Sequence, residues 1–254
     1  MSLKWSLGLM TGTVNDGYID IAALRTDGTD VVEFGPFELF PYKDKTIKEL
    51  IFKTYEEARK WNFEGPEPNI FSLTEKKITE EQSSAIEKFI NKYKIKKSDI
   101  SCIGFHGLTV LHRSIDSNNQ VGKTRQLGNG QMMSDYLQLP VVNNFRSNDI
   151  EHGGQGAPLA PIYHLALARY IKQKNIVFLN IGGVSNITYV GENDELIALD
   201  CGPGNAPIDD FVRYHNKGSM DKDGAFAKTG IVNNDLVSEF MKNNFFDLPY
   251  PKSL

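Results

Sequence analysis

Two short polar turns carry residue types that suit the binding of phosphate. The first, TGTVNDG at 11–17, joins glycine and asparagine, which tolerate positive φ, to threonine hydroxyls and the carboxylate of Asp16. Backbone N–H groups in such a turn can converge on phosphate oxygens, and a carboxylate can hold magnesium through water. The second turn, NIGGVSN at 180–186, has the same character. An ordinary hairpin loop would explain either turn alone, whereas the pair indicates two turns that grip a polyphosphate.

A third segment, LDCGPGN at 199–205, places a carboxylate directly before a glycine-rich turn. Asp200 stands at the end of a predicted strand, where it could accept a proton from a hydroxyl group or from water during phosphoryl transfer. The Gly-Pro-Gly turn that follows would let a substrate approach the backbone. An aspartate that only caps this turn explains the pattern equally well.

A further group of polar residues could bind a sugar or a carboxylate. His106 directly follows a predicted buried strand, although a structural histidine is the commoner case. Arg146 and Asp149 follow another strand, and GGQGAP at 153–158 leads into a helix N-terminus, which is a natural anion site. A flexible loop with a surface ion pair is the alternative interpretation.

Motifs that would indicate other activities are incomplete. VGKTR at 121–125 ends like a nucleotide-binding P-loop, but the position of the first required glycine is Ser117. The Gly-Pro-Gly turn lacks the third glycine of a dinucleotide-binding fingerprint. His106 and His112 have no cysteine or histidine partner for zinc, and two cysteines cannot form a disulfide framework.

Composition favours a soluble globular protein over a nucleic-acid or membrane protein. The 254 residues are 40% hydrophobic and 24% charged, which is typical of a folded soluble chain. The net charge of −4 provides no basic field for nucleic acid or an anionic membrane. Because no apolar run is long enough to span a bilayer and the cysteines fit a reducing compartment, we expect a cytoplasmic protein.

The elements that must position these residues fall into two halves. In the first half, turn residues and hydrophobic periodicity predict strands at 5–10, 18–24, 30–34 and 100–105. They also predict a helix at 45–61 and a second helix that begins at a capping box of Thr79 and Gln82. The second half has predicted strands at 139–143, 176–180, 184–190 and 195–200, and helices at 158–172, 207–214 and 233–244. Three successive strands in each half indicate a weak internal duplication, with a seam near 114–125.

Seven segments, in order along the chain, resemble the anhydro-N-acetylmuramic acid kinases. This family belongs to the superfamily of acetate and sugar kinases, heat-shock chaperone ATPases and actin. The segments are GLMTGTVNDG (8–17), GFHGLTVLHR (104–113), QLGNG (126–130), VVNNFRSNDIEHGGQGAPLAPIYHLAL (141–167), NIGGVSNITYV (180–190), LDCGPGN (199–205) and DKDGAFAKTG (221–230). Each is weak alone, but the ordered combination is highly specific.

The resemblance implies an α/β fold of two ribonuclease-H-like, actin-like ATPase domains with an interdomain cleft. Each domain would have a mixed sheet flanked by helices, with domains at 1–120 and 121–254. The second domain would be incomplete, because a C-terminal portion follows this region in the family. The resemblance also implies a cytoplasmic homodimer that uses ATP and Mg²⁺ on a small amino-sugar substrate.

The implied reaction opens 1,6-anhydro-N-acetylmuramic acid with water and phosphorylates O6, a step of peptidoglycan recycling. By position, Asp200 matches the family's general base, and Asp16 would hold magnesium. The residues that match the ATP-phosphate turns are Gly12, Thr13, Val14, Asn15, Asp16, Gly17, Gly182 and Gly183. The residues that match the sugar-side loops are His106, Arg146, Asp149, Gly204 and Asn205.

The chain departs from the family pattern at four places. Val14 stands where serine is usual, Leu108 where glutamine is usual and Asn144 where aspartate is usual, and DGYID at 16–20 has one residue more than the usual Asp-Gly-x-Asp. The change at Val14 and the expected missing C-terminal portion leave other functions open. A noncatalytic module that binds the anhydro sugar without a complete nucleotide site is one alternative. An actin-like or chaperone-like ATP switch is another, although the sugar-side segments HGLTVLHR and GGQGAPLAP disfavour it.

Overall fold

The chain forms two compact units in a computed structural model that describes residues 3–10, 17–114 and 121–253. The first unit is Met1–Gln173 and the second is Lys174–Leu254. Each described unit combines a β-sheet with helices, so the expected α/β class is confirmed. Among the described residues, no helix is long and apolar enough to cross a membrane.

A five-stranded mixed sheet organises the first unit, with the strand order β3-β2-β1-β4-β7. Its strands are β1 (Trp5–Met10), β2 (Tyr18–Thr26), β3 (Val31–Pro41), β4 (Ile100–Phe105) and β7 (Val141–Asn143), and a separate hairpin comprises β5 (Leu108–Arg113) and β6 (Lys123–Leu127). The first three strands are an antiparallel meander, whereas β4 and β7 run parallel to β1. This arrangement brings the ends of β1 and β4 together.

Three helices, α1 (Ile47–Trp61), α2 (Ile70–Lys92) and α3 (Gly130–Leu137), bury the apolar residues of this sheet. The first unit also contains α4 (Ser147–Glu151) and α5 (Pro161–Tyr170). Ile51 of α1 and Phe89 of α2 are completely buried in one cluster with Leu7 and Phe105 of the strands. The hydroxyl oxygens of Thr54 and Thr74 lie 2.7 Å apart between α1 and α2, so a hydrogen bond also joins the two helices.

The predicted capping box at Thr79 and Gln82 is wrong. The helix α2 begins at Ile70, so Thr79 lies in its interior. Its hydroxyl donates to the Glu75 carbonyl at 2.7 Å and accepts the Asn129 N–H at 3.0 Å. A threonine inside a helix can donate its hydroxyl to a backbone carbonyl of the preceding turn. The pattern of Thr79 and Gln82 therefore fits a helix interior as well as a helix start.

The two units divide later in the chain than the sequence suggested. The predicted domains meet between residues 120 and 121, whereas the compact units meet between Gln173 and Lys174. Two pairings account for the difference, because β6 pairs with β5 and β7 extends the first sheet beside β4. Part of the predicted seam, at 115–120, lies outside the described residues.

The second unit contains an antiparallel meander of β8 (Ile176–Ile181), β9 (Val184–Val190) and β10 (Leu196–Pro203). Two helices follow, α6 (Ala206–Tyr214) and α7 (Asn234–Phe240). The prediction of three successive strands in each half is confirmed by this meander and that of β1–β3. The turn from β8 to β9 carries the paired glycines of NIGGVSN.

Candidate active site

Asp200 is buried near the end of β10, beside a β-bulge. The residue is only 6% exposed to solvent. The register against β9 shifts between Asp200 and Gly202, which face Asn186 and Ser185 respectively, so Cys201 is the additional residue. Gly202 has a φ of +147°, which side-chain-bearing residues rarely adopt. The bulge therefore depends on glycine and sets the direction in which the strand leaves Asp200.

Polar contacts hold both the backbone and the side chain of Asp200. Its backbone N–H donates to the Lys252 carbonyl at 2.9 Å, and the Ser253 hydroxyl donates to Asp200 Oδ2 at 3.0 Å. Burial, followed by the neighbouring charge of Asp200, raises the pKa of the Cys201 thiol. Cys201 thus stays protonated near neutral pH, which leaves the carboxylate as the candidate base.

Two backbone hydrogen bonds join the glycine turn after β8 to the turn after Asp200. The Gly204 N–H donates to the Gly183 carbonyl at 2.9 Å, and the Asn205 N–H donates to the Gly182 carbonyl at 2.7 Å. A Cβ atom at Gly204 would lie 2.1 Å from the Gly182 oxygen, so only glycine fits this approach. The structure therefore brings together five residues that the sequence analysis identified, which are Gly182, Gly183, Asp200, Gly204 and Asn205.

Asn205 contributes an acceptor that needs a donor. Its Oδ1 atom is buried and has no hydrogen-bond partner among the described residues. Buried polar atoms in native proteins are nearly always hydrogen-bonded, so an acceptor in this position suits a hydroxyl or N–H group of a ligand. This observation supports the assignment of Asn205 to substrate binding.

A second polar network, in the first unit, joins the predicted residues His106, Arg146 and Asp149. Arg146 donates to His106 Nε2 at 3.0 Å and to the Gly156 carbonyl at 2.6 Å. The Gly156 N–H donates to Asp149 Oδ2 at 2.7 Å. Gly156 is the link that sequence reasoning missed, although it lies within the GGQGAP segment. These hydrogen bonds hold the loop at 153–158 in place, whereas a flexible loop was the alternative interpretation of the sequence.

The hydrogen bonds of His106 define its tautomer. Its Nδ1 lies 3.0 Å from the Gly107 carbonyl, which can only accept, so Nδ1 carries the proton. Nε2 of the neutral ring then accepts from Arg146. Burial and the positive charge of Arg146 both lower the pKa of His106. The imidazole is therefore neutral near pH 7 and presents an acceptor to the guanidinium group.

The first phosphate turn lies almost entirely outside the described residues. Gly12, Thr13, Val14, Asn15 and Asp16 are not described, and neither is the predicted magnesium contact of Asp16. Gly17 is described, with a φ of +94°, and its carbonyl accepts the Tyr42 N–H at 3.1 Å. Within 3–10, 17–114 and 121–253, no group of three histidine, cysteine or acidic side chains could hold a metal ion.

The fold and this site define a class of protein, an α/β enzyme with a buried strand-end carboxylate beside paired glycine turns. Comparison with known families gives the particular one. A family model described as anhydro-N-acetylmuramic acid kinase matches residues 4–254. The chain belongs to the anhydro-N-acetylmuramic acid kinase family.

Curated relatives are similar over almost the whole of this chain. The anhydro-N-acetylmuramic acid kinase of Brucella anthropi is 48% identical over 98% of the chain and 67% of its own length. The kinase of Rhizobium rhizogenes is 45% identical over the same shares, and anhydro-N-acetylmuramic acid kinase 2 of Jannaschia sp. is 46% identical over 99% of the chain and 66% of its own length. The chain thus spans about two thirds of the length of these relatives.

Solved structures are much less similar. A reductive activator for a corrinoid, iron–sulfur protein aligns with 79% of this chain and 31% of its own at 10% identity, with a TM-score of 0.40. An exopolyphosphatase-like protein aligns with 82% of the chain and 53% of its own at 9% identity, also with a TM-score of 0.40. These values are too low to establish a shared fold.

Replacing Gly204 with alanine should destabilise the second unit. Because the new Cβ would meet the Gly182 oxygen, the two turn-to-turn hydrogen bonds must lengthen or break. At about 1 kcal/mol each, their loss lowers the free energy of unfolding by about 2 kcal/mol in urea titrations followed by circular dichroism. Gly182→Ala is the matched control, since its Cβ would find no atom closer than 3.7 Å. Equal losses in the two variants would contradict this account.

The neutral state of His106 predicts a pH dependence of stability. Because burial and Arg146 lower its pKa in the folded protein, the unfolded chain binds the proton more readily. Stability from this residue is complete above the ordinary value of 6.5 and is lost as the pH falls through the lowered pKa. His106→Asn should therefore show a smaller loss of unfolding free energy between pH 7.5 and 5 than the wild type.

Part of that loss should persist in the variant, because burial also lowers the pKa of His164. His164→Gln provides the comparison, since it removes that separate contribution and leaves the His106 network in place. Identical declines in the wild type and His106→Asn would show that the His106 ring is not held neutral by folding.

Proposed function

We propose that the protein catalyses the ATP-dependent hydrolytic opening and phosphorylation of 1,6-anhydro-N-acetylmuramic acid. The products are N-acetylmuramic acid 6-phosphate and ADP, and the reaction is a step of peptidoglycan recycling. Membership of the family supports the reaction. The observation that carries it is the buried carboxylate of Asp200 next to the joined glycine turns.

Asp200 serves as the general base in this proposal. It takes a proton from a water molecule whose oxygen forms a bond to the anomeric carbon C1. The bond from C1 to the bridging O6 breaks, and O6 takes the γ-phosphoryl group as the bond to ADP breaks. A buried carboxylate held by the Ser253 hydroxyl and the bulge of β10 keeps a defined direction, which proton transfer requires.

The sugar-side residues provide complementary polar groups. Arg146 keeps its charge at any physiological pH and suits the carboxylate of the muramic acid side chain. His106 orients Arg146 through Nε2, and Asp149 orders the same loop through the Gly156 N–H. In the second unit, Gly204 permits close approach to the backbone, and the buried Asn205 Oδ1 accepts from a sugar hydroxyl or amide.

ATP is the phosphoryl donor, as in other kinases, and Gly182 and Gly183 belong to one proposed phosphate turn. The other proposed phosphate turn, TGTVNDG at 11–17, includes Asp16 as the magnesium contact. When bound, magnesium neutralises phosphate charge in the transition state. The described residues provide no acidic cluster for the ion, so no further ligand is assigned.

The remaining features of the proposal come from the family resemblance. Each unit would contain a ribonuclease-H-like core, which is supported by the antiparallel three-stranded meander in both. A cytoplasmic homodimer is consistent with an intracellular recycling step. Gel filtration coupled to light scattering would measure the oligomeric state directly.

Formation of the phosphosugar is the direct test of this function. The purified chain, supplied with 1,6-anhydro-N-acetylmuramic acid, ATP and Mg²⁺, should form one 6-phosphosugar for each ADP, as measured by mass spectrometry and coupled ADP detection. N-Acetylmuramic acid without the anhydro bridge is the matched substrate control. Turnover of other sugars without turnover of the anhydro sugar would contradict the proposal.

Asp200→Asn should reduce kcat by roughly a hundredfold or more, since an amide cannot accept the proton from water. Asp210→Asn is the matched control, because Asp210 is exposed on α6 and pairs with Arg213 at the surface. That variant should keep wild-type turnover. Near-normal activity of Asp200→Asn would remove Asp200 from the role of base.

A further inference from the structure

The segment of Lys252 and Ser253 holds Asp200 at two separate points. The Lys252 carbonyl accepts the Asp200 N–H at 2.9 Å, as a neighbouring strand would. The adjacent Ser253 hydroxyl donates to Asp200 Oδ2 at 3.0 Å. Ser253 lies 53 positions from Asp200 in the chain. A distant segment therefore sets both the strand position and the carboxylate orientation of Asp200.

The Lys252 side chain anchors this segment to a short helical turn, Asn244–Asp247. Its ammonium group donates to the carbonyls of Phe245 and Phe246 at 2.8 and 3.1 Å. The same charge lies 4.7 Å from the centre of the Phe245 ring, which adds a cation–π contact. Lys252 is thus tied down through its side chain while its carbonyl pairs with Asp200.

The same helical turn also contacts the bulge beside Asp200. A Cβ atom at Gly202 would lie 3.4 Å from the Phe246 ring, so this ring packs against the glycine of the bulge. One short stretch therefore contacts the strand at Gly202, the backbone of Asp200 and its carboxylate. These three contacts together restrict the position of the strand and the orientation of the Asp200 side chain.

A carboxylate without such a contact rotates easily about its terminal torsion, which has a broad energy minimum. A hydrogen bond to one oxygen selects one orientation of the carboxylate plane. For a base that must remove a proton from a positioned water molecule, this orientation affects the chemical step more than the binding of substrate. A serine hydroxyl can supply the bond without adding charge.

We propose that Ser253 is a positioning residue that orients the carboxylate of Asp200 for proton abstraction. The role rests on the proposed function, because it concerns the same base. Ser253 itself contacts neither the water nor the sugar in this account. Its effect passes through Asp200 Oδ2 and depends on the Lys252 anchor.

Steady-state kinetics of Ser253→Ala and Ser253→Thr test this role in the full chain. Ser253→Ala should lower kcat about tenfold or more and leave KM for the anhydro sugar within about twofold, because a hydrogen bond to a charged group is lost while substrate contacts remain. Ser253→Thr keeps the hydroxyl and should restore most of kcat. Ser238→Ala on α7 is the matched control, since it removes an exposed hydroxyl of the same unit.

Three results would overturn the assignment. They are wild-type kcat in Ser253→Ala, a rise in KM that accounts for the whole loss, and failure of Ser253→Thr to recover when circular dichroism shows it folded. Should Ser253→Ala fail to fold, Ser253→Thr alone decides, because the role requires it to be active. Absence of turnover in the wild-type chain would instead overturn the proposed function, and the role of Ser253 with it.

Discussion

The candidate active site depends on the contact between two turns of the second unit. The N–H groups of Gly204 and Asn205 bind the carbonyls of Gly183 and Gly182, and the absence of a side chain at Gly204 permits this approach. Because the turn with Gly204 and Asn205 begins just after Asp200, the contact also limits where that carboxylate can lie. A backbone interaction that any side chain at position 204 would prevent thus underlies the arrangement of the proposed base and the proposed phosphate turn.

The two polar networks of the chain hold their charged side chains with different kinds of partner. In the first unit, a neutral imidazole accepts from Arg146, and the backbone of Gly156 forms hydrogen bonds with Arg146 and Asp149. In the second unit, the Ser253 hydroxyl donates to Asp200 Oδ2, and the Lys252 carbonyl accepts the Asp200 N–H. Each network thus contains a neutral partner that helps to orient a proposed functional side chain, Arg146 or Asp200.

Sequence analysis predicted those parts of the fold that depend on residues close together in the chain. Strand and turn signals located the three-stranded meanders, and glycine pairs located both turns around Gly182 and Gly204. One prediction failed because its local pattern is ambiguous, and one contact was missed because it joins residues distant in the chain. Thr79 lies inside α2 rather than at its start, since its hydroxyl can bond to either a helix end or a preceding turn. The hold of Ser253 on Asp200 spans 53 positions, and no local pattern signals it.

The proposed reaction requires Asp200 to act directly on the water that opens the anhydro bridge. A crystal structure of the chain bound to 1,6-anhydro-N-acetylmuramic acid measures this most directly. We expect a carboxylate oxygen of Asp200 within about 3 Å of a water molecule placed beside the anomeric carbon. A bound sugar whose anomeric carbon lies beyond the reach of Asp200, even through one water molecule, would contradict it.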